Sequence, residues 1–211
     1  MSIKAVYVAG LCAVLAGCGG SATNNLVTVA IGTPQVGRAN VNADGTVPTT
    51  MQDTITSSRV ASNGDGFGYV LGTYADQSTV GAFSGLTGST SLTGTLPPGT
   101  ATMDGQFRIG ELYDLTRENG KVVGQQRQAG GLISLNADFD ARTLQGSATI
   151  SGTSTQLQIL GAFNGNSLGG SVTYGGLTGD LEGQIDGGRA VGVFAGQSAN
   201  SAFAGGFMVD D

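Results

Sequence analysis

The sequence predicts an all-β protein: a small, soluble, eight-stranded antiparallel β-barrel with a short N-terminal β appendage, after a lipoprotein signal peptide. Of the 211 residues, 38 are Gly. Only 11% are charged, against about 25% in ordinary globular domains. Downstream of Ala101, apolar or Gly residues alternate with polar ones in short runs that turn residues separate. Glycine on this scale suits turns, bulges and close backbone contacts rather than helices.

The first eighteen residues have the order of a bacterial export signal. A positive start, Met1 to Lys4, precedes an apolar run from Ala5 to Leu15. The run is shorter than the about 20 residues that a membrane-spanning helix needs. The motif Leu-Ala-Gly-Cys that ends at Cys18 resembles a bacterial lipobox, which implies cleavage before Cys18 and lipidation of its thiol. The alternative is an ordinary signal peptide with a chance Cys.

This interpretation divides the chain into four parts: the signal peptide (1–17), the lipidated Cys18 with a flexible tether (18–33), a small irregular β region (34–99) and the barrel (100–211). The residue after Cys18 is Gly19, not the Asp that usually retains bacterial lipoproteins in the inner membrane. We therefore expect a lipid-anchored protein of the outer membrane, displayed at the cell surface. A periplasmic orientation stays open.

Eight runs with a period of two predict the barrel strands. They cover residues 101–109, 133–139, 144–150, 157–163, 168–174, 177–185, 190–194 and 203–209. Turn-forming residues between the later runs favour an up-and-down meander. Eight strands can close around a core of side chains. The scarcity of aromatic residues, with no Trp and five Tyr, favours an inward apolar face over a lipid-facing one.

The upstream region has three less regular strand candidates, at residues 54–60, 67–74 and 79–86. Two consecutive prolines, Pro97 and Pro98, cannot donate ladder hydrogen bonds and predict the boundary with the barrel.

Several motifs resemble the barrel of transferrin-binding protein B. Gly-Gly-Arg-Ala-Val-Gly-Val-Phe-Ala-Gly at 187–196, Ser-Ala-Asn at 198–200 and Ala-Gly-Gly-Phe at 204–207 look like that family's closing strands. The stretch at 130–139, followed by Leu-Gln-Gly at 144–146, resembles its second and third strands. The factor H binding protein is similar too. The resemblance implies a surface lipoprotein that binds a macromolecule or nutrient carrier, with iron acquisition as one role. The chain departs from the two-lobed transferrin receptors of that family, because it has room for one barrel and a reduced handle domain at most.

Composition argues against enzymes and nucleic-acid binding. His is absent, so Ser-His triads and His-based zinc sites have no basis, and we predict no cofactor and no metal. Carboxylate pairs at Asp180 and Glu182 or Asp138 and Asp140 are most simply solvated surface. The mature chain would carry eight basic and fifteen acidic residues, which disfavours phosphate backbones as partners. Two calcium-like stretches, at 42–45 and 63–66, are best interpreted as turns.

The most charged segment predicts a long hairpin around an Asn-Gly turn at 119–120. Tyr and Arg are favoured anchors of protein interfaces, and loops on a rigid scaffold commonly bind partners. The hairpin is therefore the candidate partner-binding element, with a merely solvated hairpin as the alternative. Its candidate residues are Tyr113, Arg117, Glu118, Lys121 and Arg127.

Overall fold

The computed structural model describes residues 30–31, 35–150 and 154–211, so Cys12 and Cys18 lie outside the described residues. No helix in these three ranges is long and apolar enough to cross a lipid bilayer. The strands are β1 (Ala30–Ile31), β2 (Gln52–Val60), β3 (Gly66–Thr73), β4 (Thr79–Leu86), β5 (Thr100–Glu118), β6 (Lys121–Asp138), β7 (Thr143–Thr149), β8 (Gln156–Asn164), β9 (Ser167–Tyr174), β10 (Leu177–Ile185), β11 (Arg189–Gln197) and β12 (Ala202–Asp210).

Strands β5 to β12 form a closed barrel in which each strand pairs antiparallel with the next, and β12 pairs with β5. This confirms the predicted eight-stranded meander. Alternate residues point inward and make one apolar core, which includes Met103, Leu135, Leu157 and Phe207. Polar residues of β7 and β8, such as Gln145 and Gln158, point outward and are exposed.

Short turns close the hairpins as the sequence predicts. Asn119 and Gly120 join β5 to β6 with φ angles of 50° and 81°. Gly175 and Gly176 join β9 to β10 with φ angles of 55° and 85°. Positive φ at both central positions matches the twist of antiparallel strands, so these Gly and Asn residues fix the register of the strands on either side.

The N-terminal region forms a second, four-stranded sheet in the order β1-β4-β3-β2. Strands β2, β3 and β4 confirm the three predicted strands of the appendage. Strand β1, at Ala30–Ile31, lies within the stretch assigned to the tether and pairs parallel with the start of β4. Arg189, at the start of β11, also links this sheet to the barrel. Its Nη1 donates to Asp65 Oδ2 in the turn before β3 at 2.6 Å, and its Nε donates to Asp210 Oδ1 of β12 at 2.9 Å.

The small sheet packs on the outer surface of β5, β11 and β12, which buries the last two strands on both faces. Residues of β12 are therefore buried at every position up to Val209 instead of at every second one. Ala202, Ala204 and Met208 point away from the barrel core, but they face the small sheet instead of water. The seam is lined with small residues. A Cβ on Gly206 would meet the Phe67 ring, and one on Gly110 would meet the Tyr69 ring and the Leu71 side chain.

We expect Gly206→Ala to lower the free energy of unfolding by about 1–3 kcal/mol, since overpacking a tight core is costly. The added methyl would press on the fully buried Phe67 and on the Gly192 carbonyl oxygen. Gly188→Ala is the matched control, because a Cβ there meets no atom within 4 Å and the residue is exposed. Urea unfolding followed by circular dichroism measures both, and equal stability of the two variants would contradict the prediction.

Candidate partner-binding site

The long β5–β6 hairpin extends beyond the barrel and rests on the small sheet. Its Leu115 and Val122 side chains are buried in the apolar cluster that joins the sheet to the barrel. The Val122 amide donates to the Gln77 carbonyl at 2.7 Å, and the Leu115 amide donates to the Asn200 carbonyl at 2.9 Å. The predicted hairpin is thus supported along one face, and its tip and opposite face are exposed.

The five candidate residues occupy two separate places. Glu118 and Lys121 are paired across the tip, and both are exposed. Arg117 is partly buried and donates from Nη2 to the Ser78 carbonyl at 2.7 Å, so it ties the hairpin to the turn between β3 and β4. Tyr113 and Arg127 lie at the other end of the hairpin, beside the open mouth of the barrel.

At the mouth, Arg127 forms an ion pair with Glu111, its direct cross-strand neighbour. Arg127 Nε donates to Glu111 Oε2 at 2.6 Å, and Nη2 lies 2.6 Å from the same oxygen. Glu111 is only 6% exposed because it continues the inward alternation of β5 after Ile109. A buried carboxylate needs such a partner, since an unpaired charge away from water is costly.

Two tyrosine rings complete this mouth cluster, which consists of Glu111, Arg127, Tyr113 and Tyr174. The Arg127 guanidinium carbon lies 5.0 Å from the centre of the Tyr113 ring and 5.8 Å from that of Tyr174. Both distances are within the range of cation–π attraction. The arrangement holds the guanidinium in one orientation beside a cavity of about 350 Å³, which Arg127 and Tyr174 help to line.

The cluster shifts the ionisation of its members. Burial raises the pKa of Tyr174 to about 12, and the negative charge of Glu111 acts in the same direction. Burial would by itself lower the pKa of the Arg127 guanidinium, but the hydrogen bond and charge of Glu111 outweigh it and raise that pKa. Arg127 therefore stays charged, and the phenol of Tyr174 stays neutral, throughout the physiological range.

The stretches that resemble calcium loops are turns, as the sequence predicts. Asp44 Oδ1 accepts hydrogen bonds from the backbone and side chain of Thr46, which lower the pKa of Asp44. Asp65 accepts from the Asn63 side chain and from Arg189. In the ranges that the structure describes, no group of three or more His, Cys, Asp or Glu residues could hold a metal ion.

The carboxylates considered for catalysis lie on the surface. Asp180 and Glu182 point outward from β10 and are exposed. Asp138 Oδ1 accepts the Ala141 amide at 2.8 Å and so stabilises the turn after β6, while Asp140 is exposed in that turn. Each of them thus has an exposed or turn-stabilising environment, which agrees with the surface interpretation.

Sequence reasoning missed Glu111 and Tyr174 as members of the mouth cluster. Both lie in register with inward residues, so the alternation of β5 and β9 contained the signal for Glu111 and for Tyr174. It also missed the contact of Arg189 with Asp65, 124 positions away. No local pattern could reveal that pair, because it depends on how the small sheet docks.

Comparison with known proteins gives a likeness to solved structures only. The chain matches no protein-family model and no curated protein. It is similar to structures of transferrin-binding protein B and of HpuA. Transferrin-binding protein B is also the family that the sequence motifs resemble.

The HpuA structure, from Kingella denitrificans in complex with human haemoglobin, is 24% identical, with 68% of this chain and 54% of that chain covered and a TM-score of 0.39. Isotype 1 transferrin-binding protein B from serogroup B Neisseria meningitidis is 11% identical, with 79% and 38% covered and a TM-score of 0.44. The transferrin-binding protein B mutant from Haemophilus parasuis Hp5 is 14% identical, with 79% and 39% covered and a TM-score of 0.42. The chain spans about half or less of the length of these proteins.

We expect two tyrosines to ionise well above pH 10 in the folded protein. Burial raises the pKa of both Tyr69 and Tyr174 to about 12, against about 10 in an unfolded chain. Their contribution to stability is complete below pH 10 and is lost as the pH rises from 10 to 12. An absorbance titration at 295 nm would show a delayed component that is reduced in Tyr174→Phe and kept in Tyr74→Phe, which removes the hydroxyl of an exposed side chain. Complete tyrosine ionisation near pH 10 without unfolding would contradict this.

Proposed function

We propose that this chain is a non-catalytic lipoprotein of the outer membrane, anchored through Cys18, that binds a macromolecular partner or nutrient carrier with its exposed loops. The observation that carries the proposal is the filled barrel. Its interior is occupied by apolar side chains from all eight strands, so the surface remains for recognition. Loops on such a rigid scaffold are well suited to binding.

The partner class follows from the family resemblance. Transferrin-binding protein B-like barrels imply a protein partner at the cell surface, with iron acquisition or host interaction as the role. The acidic chain, with a net charge of −6, disfavours a nucleic-acid partner. A periplasm-facing structural or assembly lipoprotein is the second candidate, because it would use the same anchor and the same fold.

The hairpin tip is the proposed point of contact with the partner. Glu118 and Lys121 are exposed on either side of the Asn119–Gly120 turn, on a two-stranded support whose other face is packed against the small sheet. The support limits the entropy that the tip loses on binding. Arg117 contributes indirectly, since its hydrogen bond to the Ser78 carbonyl holds the hairpin against the small sheet.

The anchor and its orientation can be tested together in intact cells. We expect radiolabelled palmitate to enter the wild-type protein and not Cys18→Ser, because the thiol is the acylated group. We also expect external protease to remove the protein from whole cells. Absence of label from the wild type would overturn the anchor, and protection until the outer membrane is opened would favour the periplasmic candidate.

We expect Lys121→Glu to weaken partner capture about tenfold, since the charge at the tip reverses where the partner would touch it. The measurement is the amount of the partner retained by bead-bound protein, quantified by mass spectrometry against the wild type. Arg142→Glu is the matched control, an exposed charge reversal in the β6–β7 turn at the opposite end of the barrel. Equal losses in both variants, or no loss in either, would contradict a contact at the tip.

A further inference from the structure

Strand β6 has a long open edge. Its pairing with β5 extends from Lys121 to Asp138 and skips only Gly124, which lies opposite the bulge, but its pairing with β7 covers only Ser134 to Asp138. No described strand pairs with residues 124–130 on the β7 side. Of these seven residues, all but Ala129 are exposed.

The backbone groups on this edge alternate in a defined way. The Val122 amide donates away from β5, to the Gln77 carbonyl. In an antiparallel strand the N–H and C=O of every second residue share one side. The bulge in this pairing lies on β5, between Tyr113 and Thr116, so the alternation continues unbroken along β6. Gly124, Gln126, Gln128 and Gly130 therefore present their backbone donors and acceptors to the open side.

A second strand edge lies next to the first. Strand β2 is an edge strand of the small sheet, and its Thr56 carbonyl accepts a hydrogen bond from the Gln128 side chain at 3.1 Å. Between the two edges is a cavity of about 400 Å³, lined by Thr54, Thr56, Gln126 and Gln128 among others. We call the two edges and the cavity between them the edge groove.

The Gly130 end of the edge groove is flanked by positive charge, although the whole chain is acidic. The exposed Asp53 lies at the Gly124 end. Arg59 Nη1 donates to the neutral Gln106 side chain at 2.7 Å, and Arg108 Nη1 donates to the neutral Ser57 hydroxyl at 3.0 Å. The three ion pairs found among the described residues involve neither of these arginines. Leu132, which is 78% exposed, is paired with Gln106 and adds an apolar contact on the same side of β6.

Natural proteins usually protect long open edges with proline, inward charges or a covering loop, because such edges recruit other strands. Residues 124–130 contain none of the prolines, and their outward side chains are Gly and Gln. Their one charged side chain, Arg127, is already paired with Glu111. Strand addition to an open edge is a known mode of peptide recognition, in which main-chain hydrogen bonds supply affinity.

We propose that the edge groove binds an extended, acidic segment of a protein partner, which adds as a strand to β6 at residues 124–130. Carboxylates of the segment face Arg59 and Arg108, which lack an acidic partner within the described structure. The inference rests on the proposed binding function and assigns it a second contact surface, separate from the hairpin tip.

The test uses the purified full-length protein in detergent and a synthetic probe, the octapeptide Glu-Thr-Val-Thr-Val-Thr-Val-Glu with a fluorophore on its N-terminus and an amidated C-terminus. We expect saturable binding by fluorescence anisotropy and slower hydrogen exchange at the Gln126 and Gln128 amides. The matched probe carries N-methyl groups on alternate peptide bonds, so it keeps the side chains and loses main-chain donors. We expect it to bind at least tenfold more weakly. Equal affinity of the two probes, or no binding at millimolar concentration, would overturn the proposal.

Variants of the protein separate the backbone and charge contributions. Gln126→Pro removes one edge amide that β5 does not use, and we expect at least tenfold weaker binding, whereas Gln126→Ala keeps the amide and the affinity. Arg59→Gln with Arg108→Gln should weaken binding and flatten its salt dependence, while Arg142→Gln should not. Circular dichroism checks that Gln126→Pro is folded, and the N-methyl probe tests the same hydrogen bonds on the unaltered protein.

The outcomes also distinguish this surface from the hairpin tip. Normal probe binding by Lys121→Glu supports a separate edge groove, even if that variant loses the natural partner. A concentration-dependent dimer of the wild type that Gln126→Pro abolishes would overturn the proposal, because a second copy would then occupy the edge.

Discussion

The fold depends on one packing constraint: β11 and β12 must be buried on both faces. Inside the barrel, Phe194, Phe203 and Phe207 fill the core, and outside it the small sheet lies on the same two strands. The small sheet can approach β11 and β12 this closely only where their outward faces carry little side-chain volume. The Gly and Ala residues of this seam meet that requirement, and Gly110 and Gly206 lie directly against side chains of the small sheet.

The same docking shapes the surfaces available for recognition. The sheet supports the β5–β6 hairpin through Leu115 and Val122 and thereby extends it beyond the barrel mouth. Because β5 and β6 continue past their neighbours, Glu111 and Arg127 meet at the rim and neutralise each other there. Because the hairpin is extended, one edge of β6 is also left without a paired strand. The exposed tip, the mouth cluster and the edge groove therefore all result from the length of β5 and β6.

Period-two alternation predicted the strands well, because alternation is a direct consequence of a barrel with one apolar face. It located all eight barrel strands, whereas the three strands of the appendage were predicted from less regular runs. It underestimated the lengths of β5 and β6, because the charged residues in the hairpin halves of these strands do not pack in an apolar core. Arg117 donates to a backbone carbonyl, and Arg127 pairs with a buried carboxylate. The sequence indicated Arg117 and Arg127 as candidate binding residues. It could not separate a supporting arginine from an exposed lysine, since that depends on the docked sheet.

The position of β12 has a consequence for biogenesis. This strand closes the barrel by joining β11 to β5, and it also forms the floor on which β3 and β4 rest. It is the latest of the described strands to emerge during synthesis, so neither barrel closure nor sheet docking can finish before residues 202–210 are available. Such dependence on distant pairings slows folding. A nascent chain of this design therefore keeps its barrel open until β12 has emerged, because that strand supplies the pairings with both β11 and β5.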